Sequence, residues 1–327
     1  MTNIGIRSIN LNWLKPVLLG LSLSILLQIP RTAAAQTFQS PATGYSGITL
    51  SGAPGLAYFN NKLYVAFKAN DSSNYLYITT SSDGSTFSTP ATQYSSVILT
   101  GSPALTVFNG VLFIAYLNPS NSELMMVDST DGVNFSAPYA IEAPGIGPFY
   151  SSSSPSLTVF NNQLIIAYLD LSSGYERYST STNGATFVGP GPISTYTASS
   201  APALTAYNGI LYASFQEASN HDLVVATSQD GSAFTYQTAY SGIQIGGQPS
   251  MVGSVYGLVV SFRSNDGYHV LFVTSGNSAA GLAVPATGYT GIRMGSDPGM
   301  AVFGTNQIYL AFQSNDSYHI LFVTHTN

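Results

Sequence analysis

Six times along the chain a proline opens the same phrase: a short apolar strand, a tight turn, and a second apolar strand. The clearest copy is PALTVFNGVLFIAY, from Pro103 to Tyr116, where Asn109-Gly110 between two apolar runs is the strongest short hairpin signal a sequence offers. The copies begin at Pro54, Pro103, Pro155, Pro202, Pro249 and Pro298, spaced by 49, 52, 47, 47 and 49 residues. A third strand follows each hairpin, as at Tyr75–Thr80, Leu124–Asp128, Leu223–Thr227, His269–Thr274 and His319–Thr324. After an Asp-Gly or Asn-Gly turn comes a fourth, such as Ala91–Leu99 or Ala286–Met294. Near-continuous apolar runs of this kind suit strands buried on both faces. An all-strand repeat of this length predicts an all-β, six-bladed β-propeller with four-stranded blades.

The two ends of the repeat array fit together. The sixth copy stops after its third strand, and residues 41–50, PATGYSGITL, closely match residues 285–294, PATGYTGIRM, the fourth strand of the fifth copy. Residues 42–50 are therefore expected to complete the last blade and close the ring, leaving only short protected edges. That makes residues 36–327 one propeller domain. Residues 1–35 have the form of a signal peptide: Arg7 and Lys15, an uncharged apolar run from Val17 to Ile29, then Ala33, Ala34 and Ala35. The apolar run falls short of the about 20 residues of a membrane span. Cleavage between Ala35 and Gln36, and a secreted, extracellular protein, are the expectation.

With no cysteine, neither disulfides nor thiolate chemistry is available, and the core alone must hold the fold. Once Arg7, Lys15 and Arg31 leave with the signal, five basic residues face fourteen acids, a net charge of −9. Such a surface cannot neutralise a run of phosphates, so neither nucleic acid nor an anionic membrane is an expected partner.

The turn between the third and fourth strands reads SSDGSTF at 81–87, STDGVNF at 129–135, STNGATF at 181–187 and SQDGSAF at 228–234. This resembles the Asp-box of sialidase-like propellers, Ser-x-Asp-x-Gly-x-Thr-Trp, with one residue fewer between Asp and Gly and Phe in place of Trp. The repeats are also similar to those of bacterial propeller lectins. Asp83, Asp131 and Asp230 are scaffold on this reading, since Asp caps its own turn and Gly supplies the positive φ.

Strands one and three of a blade run the same way, so the loop from strand two to strand three shares a face with the lead-in to strand one. Those loops read Lys68-Ala-Asn70-Asp71-Ser-Ser-Asn74, Arg263-Ser-Asn265-Asp266-Gly-Tyr268-His269 and Gln313-Ser-Asn315-Asp316-Ser-Tyr318-His319 in blades one, five and six. These blades are consecutive in a closed ring, so the three loops form one arc. Small or polar lead-ins, including Gly246-Gly247-Gln248 and Gly295-Ser296-Asp297, leave room beside it. Amides, carboxylates, cations and aromatic rings together suit a sugar, whose hydroxyls need fixed donors and acceptors and whose ring stacks on Tyr or His. The alternative is that Asn-Asp merely shapes each turn, with Tyr and His as rim filler.

No cofactor is expected. Asp71, Asp266, Asp297 and Asp316 could ligate Ca²⁺ only if they converged, and none has the spacing of a calcium loop. His221 and Asp222 have no second histidine nearby to make a metal pair. Tyr175-Glu176-Arg177 reads as a solvated edge strand. Three functions remain open. The leading expectation is a lectin-like module binding a glycan or glycoconjugate on the arc of blades five, six and one, because repeated similar sites gain avidity. A sialidase-like glycoside hydrolase would require, by that resemblance, an arginine triad, an Arg-Ile-Pro motif in the first blade, a Tyr–Glu pair and an acid Asp. The mature chain has only Arg177, Arg263 and Arg293, and no such motif in blade one. A non-catalytic scaffold with a protein partner is the third.

Overall fold

The computed structural model describes residues 43–265, 269–274, 282, 287–305, 307–315 and 319–325. The signal segment, its cleavage point and Ala42 lie outside them. Six four-stranded antiparallel sheets and one two-stranded ribbon account for the described strands, and no helix occurs among the described residues. Each sheet is one blade, and each copy of the repeat supplies its first three strands. Blade one comprises Gly55–Phe59, Lys62–Lys68, Tyr75–Ser81 and Thr92–Ile98. Blade six comprises Gly299–Phe303, Gln307–Gln313 and His319–His325, with Thr43–Thr49 hydrogen-bonded as its fourth strand. In that last pairing Thr43 lies opposite Phe322 and Tyr45 opposite Ile320, with a bulge before Thr49 meets His319.

The hairpins form where the sequence places positive φ. Asn60 and Asn61, Asn109 and Gly110, Asn161 and Asn162, and Asn208 and Gly209 all take it at both turn positions. That geometry twists the two strands as a right-handed sheet needs. Blade two departs from the pattern. Its fourth strand shrinks to Tyr139–Ala140, and the chain continues into the ribbon Glu142–Ala143 with Gly147–Pro148. Pro144 and Pro148 have no N–H for a ladder, and the insertion accounts for the longest proline spacing, 52 residues.

Apolar clusters lie between neighbouring blades rather than within them. Blades one and two share Leu76, Leu99, Leu112 and Ile114, and blades six and one share Tyr309, Ala311, Leu63 and Val65. A second strand such as Leu63-Tyr64-Val65-Ala66-Phe67 is therefore buried on both faces, as its uninterrupted apolar run requires.

One sequence expectation fails here. Tyr175–Ser181 is not a solvated edge: it is the third strand of blade three, paired on one side with Gln163–Leu169 and on the other with Gly191–Thr197. Glu176 is fully buried, and neither carboxylate oxygen has a hydrogen-bond partner. It stands opposite Leu169. In the other five blades the matching register position holds Leu76, Leu124, Leu223, Val270 or Ile320. A carboxylic acid thus occupies a core site built for an aliphatic side chain.

The Asp turns lie on the face opposite the strand two-to-three loops and act as scaffold. The Asp131 Oδ1 accepts the backbone N–H groups of Val133 and Asn134 at 2.8 Å each, and Ser129 Oγ accepts that of Gly132 at 2.8 Å. Asp83 repeats this with Thr86 and Ser85. These donors hold both carboxyls far below the ordinary range, and Asp230 is held there by the Ser232 hydroxyl and backbone N–H. Such groups stabilise the fold above the ordinary Asp pKa of 3.8, and their contribution is lost as pH falls below it. Asn183 makes the same turn without a titrating group. The triple variant Asp83→Asn, Asp131→Asn, Asp230→Asn is therefore expected to fold normally and to show a shallower loss of Tm between pH 4 and pH 2, read by thermal denaturation across that range. An unchanged acid limb would contradict the assignment.

Candidate functional site

The first strands of all six blades surround a narrow central channel of about 100 Å³, lined by residues such as Pro54, Pro103, Pro155, Pro249 and Pro298. On the face of the strand two-to-three loops it opens into a basin of about 470 Å³. The wall of the basin is the set of lead-ins to the first strands. The residue before each proline is Ala53, Ser102, Ser154, Ala201, Gln248 or Asp297, so five blades present a small or neutral group and blade six an acid. Blades three and four add Ser152, Ser153, Ser199 and Ser200, giving the wall a hydroxyl-rich side.

The charged side is assembled from blades five and six. Arg263 ends the second strand of blade five, and its Nη2 donates to the Gly246 carbonyl at 2.6 Å. Its Nε lies 3.4 Å from Asp297 Oδ1, while Asp297 Oδ2 accepts the Gln248 N–H at 2.9 Å. Gly247 makes the pairing sterically feasible: a Cβ there would fall 2.4 Å from Asp297 Oδ1. Burial pushes the Asp297 carboxyl above the ordinary Asp range, and the Arg263 guanidinium opposes that shift. The buried Nε and Oδ1 make no aligned hydrogen bond, so this is a charge pair rather than a bidentate clasp. Arg263 and Asp297 keep 28% and 24% of their side-chain surface, and both line the basin.

The loops singled out from the sequence divide. Arg263 and Gln313 reach the basin, Gln313 with its Nε2 donating to Leu50 O at 2.6 Å. Lys68 is turned into its own loop, donating to Asn74 Oδ1 at 3.3 Å. Asp71 caps that loop: Oδ1 accepts the Ser73 N–H at 2.9 Å and hydroxyl at 2.5 Å, and Oδ2 accepts the Tyr77 hydroxyl at 3.2 Å. The Ser73 hydroxyl is the main reason its carboxyl titrates low. Asn70, Asn265 and Asn315 are exposed, and His269 and His319 are half-buried where their carbonyls accept the N–H groups of Ser264 and Ser314. Asp266, Tyr268, Asp316 and Tyr318 lie outside the described residues. No group of three metal-ligating side chains occurs among the described residues.

The serine wall escaped the sequence reading, because Ser152–Ser154 and Ser199–Ser200 look like ordinary linker. Their signal was position: each run immediately precedes a strand-one proline.

No protein-family model matches the chain, and no curated protein matches it. Solved structures do. The NanB sialidase from Streptococcus pneumoniae is similar over 89% of this chain and 70% of its own, at 11% identity and a TM-score of 0.62. The Hadza microbial sialidase Hz136 matches over 87% and 68%, at 14% identity and 0.64. The Trypanosoma rangeli sialidase matches over 88% and 58%, at 13% identity and 0.60. At these identities the likeness is one of fold, and the fold is the sialidase-like six-bladed propeller.

Proposed function

We propose that the protein is a secreted glycan-binding propeller that holds a sugar in the basin over its central channel. Arg263, Asp297 and Gln248 supply the polar grip, and the strand two-to-three loops of blades five, six and one flank it. The observation that carries this reading is the guanidinium–carboxylate pair set into a ring of serine, glycine and alanine. A hydroxylated ligand needs both donors and acceptors at fixed positions, and a wall of small side chains leaves it room. The fold neighbours are sialidases, which supports a carbohydrate ligand. The signal-like segment and the absence of cysteine fit an exported protein that needs no oxidative help to fold.

Hydrolysis is the second reading, favoured by Asp297, whose raised carboxyl is suited to hold a proton. Two-carboxylate hydrolysis needs a partner acid about 5 to 9.5 Å away. The described basin lining contributes one carboxylate.

A glycan array probed with residues 36–327, with and without EDTA, tests the proposal. Specific glycan binding insensitive to EDTA is expected, and the isosteric double variant Arg263→Gln, Asp297→Asn should weaken it at least about tenfold, a loss of about 1.4 kcal/mol. Turnover of 4-methylumbelliferyl glycosides by the same sample would replace the lectin by a hydrolase. A blank array from folded protein would turn attention to a protein partner.

A further inference from the structure

We infer that the basin carries a second subsite, an apolar platform built on Tyr150, and that the ligand is therefore an oligosaccharide of at least two rings. This rests on the glycan reading above and goes beyond it in ligand size and orientation. The residue five places before each strand-one proline is Thr49, Ile98, Tyr150, Thr197, Gln244 or Arg293, and every one is exposed. Four of the six are polar. The two apolar ones, Ile98 and Tyr150, stand in adjacent blades with 47% and 44% of their surface open. Leu171, 50% exposed, joins them from the strand two-to-three loop of blade three, its N–H donating to the Tyr150 carbonyl at 3.2 Å.

Extended backbone alternates its side chains, so Tyr150 shares a side with Ser152 and Ile98 with Thr100. Ser152 and Thr100 both line the basin. Ile98, at the end of blade one's fourth strand, and Tyr150, bridged to Glu123 of blade two, thus stand with Leu171 at the lip of the same depression, where the chain leads into blades two and three. In a ring of six, the lead-ins to blades two and three lie opposite those to blades five and six, where Gln248, Asp297 and the neighbouring Arg263 stand. One side of the basin is charged and hydrogen-bonding, and the facing lip is aromatic and aliphatic. The basin itself, about 470 Å³, is within the ordinary range for a drug-sized ligand, and the apolar lip extends the surface outward beyond its lining residues Thr100 and Ser152. A sugar chain is amphipathic in the same sense: its hydroxyl edge wants donors and acceptors, and its axial C–H face stacks on a ring such as Tyr. A first sugar at Arg263–Asp297 would direct the next across the basin onto Tyr150.

The test pairs each monosaccharide with a longer glycan that ends in it: methyl β-glucoside with cellobiose, methyl β-galactoside with lactose, N-acetylglucosamine with chitobiose, and N-acetylneuraminic acid with 3′-sialyllactose. Affinities are measured by calorimetry for the wild type and Tyr150→Ala, an exposed substitution checked for folding by its Tm. In at least one pair the longer sugar is expected to bind about tenfold more tightly, and Tyr150→Ala should bring it to within about twofold of the monosaccharide. Binding of both members weakened equally, or left unchanged, overturns the subsite and keeps the glycan reading. Absence of binding in every pair overturns both.

Discussion

Replacing Glu176 by leucine is expected to stabilise the folded protein by about 3 kcal/mol near pH 7, because it removes an unpartnered buried acid and the cost of keeping it protonated. Glu176 has no exposed surface, and both carboxylate oxygens lack partners. Burial holds its pKa well above the ordinary 4.5. A raised carboxyl pKa means that the folded state binds the proton more tightly than the unfolded one. This group therefore costs nothing extra below pH 4.5, and stability falls by about 1.4 kcal/mol per pH unit as pH rises towards the folded pKa. Glu176→Leu puts at this site the side chain that blades one, two and four already carry as Leu76, Leu124 and Leu223. Thermal denaturation from pH 4 to pH 8 should show the alkaline decline flattened, with a Tm gain of roughly 6–10 °C at pH 7. Glu176→Gln should flatten the pH dependence too, yet gain less, since an amide stays buried without partners. A lower Tm for Glu176→Leu at pH 7 would show that the charged form has a partner, and would overturn this account. Joined to the acid loss expected from Asp83, Asp131 and Asp230, the wild-type optimum should sit near pH 4–5.

The blade architecture was legible because its determinants are local. An Asn-Gly or Asn-Asn pair between apolar runs forces a hairpin, and a proline every 47 to 52 residues marks the next blade. Glu176 was misread for the opposite reason. Its flanking Tyr175 and Arg177 look like surface, and only the fourth strand, Gly191–Thr197, laid against it later in the chain, makes that strand interior. The site was half legible. Asn-Asp loops drew attention by their repetition, but repetition tracks the grammar of the fold, and Asp71 spends its carboxylate on its own turn. The basin instead depends on where blades differ: Asp297 where others have Ala, Ser or Gln, and Gly247 where a side chain would strike it.

That dependence on single departures makes Gly299→Ala a severely damaging conservative change. Gly299 opens the first strand of blade six, and a Cβ there would lie 2.0 Å from the Pro54 carbonyl oxygen and 2.8 Å from Leu56 Cδ1 in blade one. Gly55 meets the Pro103 carbonyl in the same way. The other four blades place Ala104, Ser156, Ala203 and Ser250 at this register, so the approach is looser there. Ser156 and Ser250 fill the gap with hydroxyls that accept the N–H groups of Leu204 at 3.0 Å and Met300 at 2.9 Å. At blade six the obstacle is backbone, which no rotamer change can relieve, so two first strands must part across a ring packed on both sides. Overpacking of this kind costs about 3 kcal/mol, or roughly 5–10 °C in Tm. Ala203→Gly, at the equivalent position of blade four, should cost only about 1 kcal/mol, the ordinary penalty of a flexible residue. Function should follow stability. Asp297 lies two residues upstream on the same segment, and a displaced strand withdraws its carboxylate from Arg263 Nε and the Gln248 N–H. Glycan affinity is therefore expected to fall at least about tenfold in Gly299→Ala while Ala203→Gly keeps it. An unchanged Tm would mean that blades six and one have slack between them, and the tight closure would then set neither the stability of the ring nor the position of Asp297.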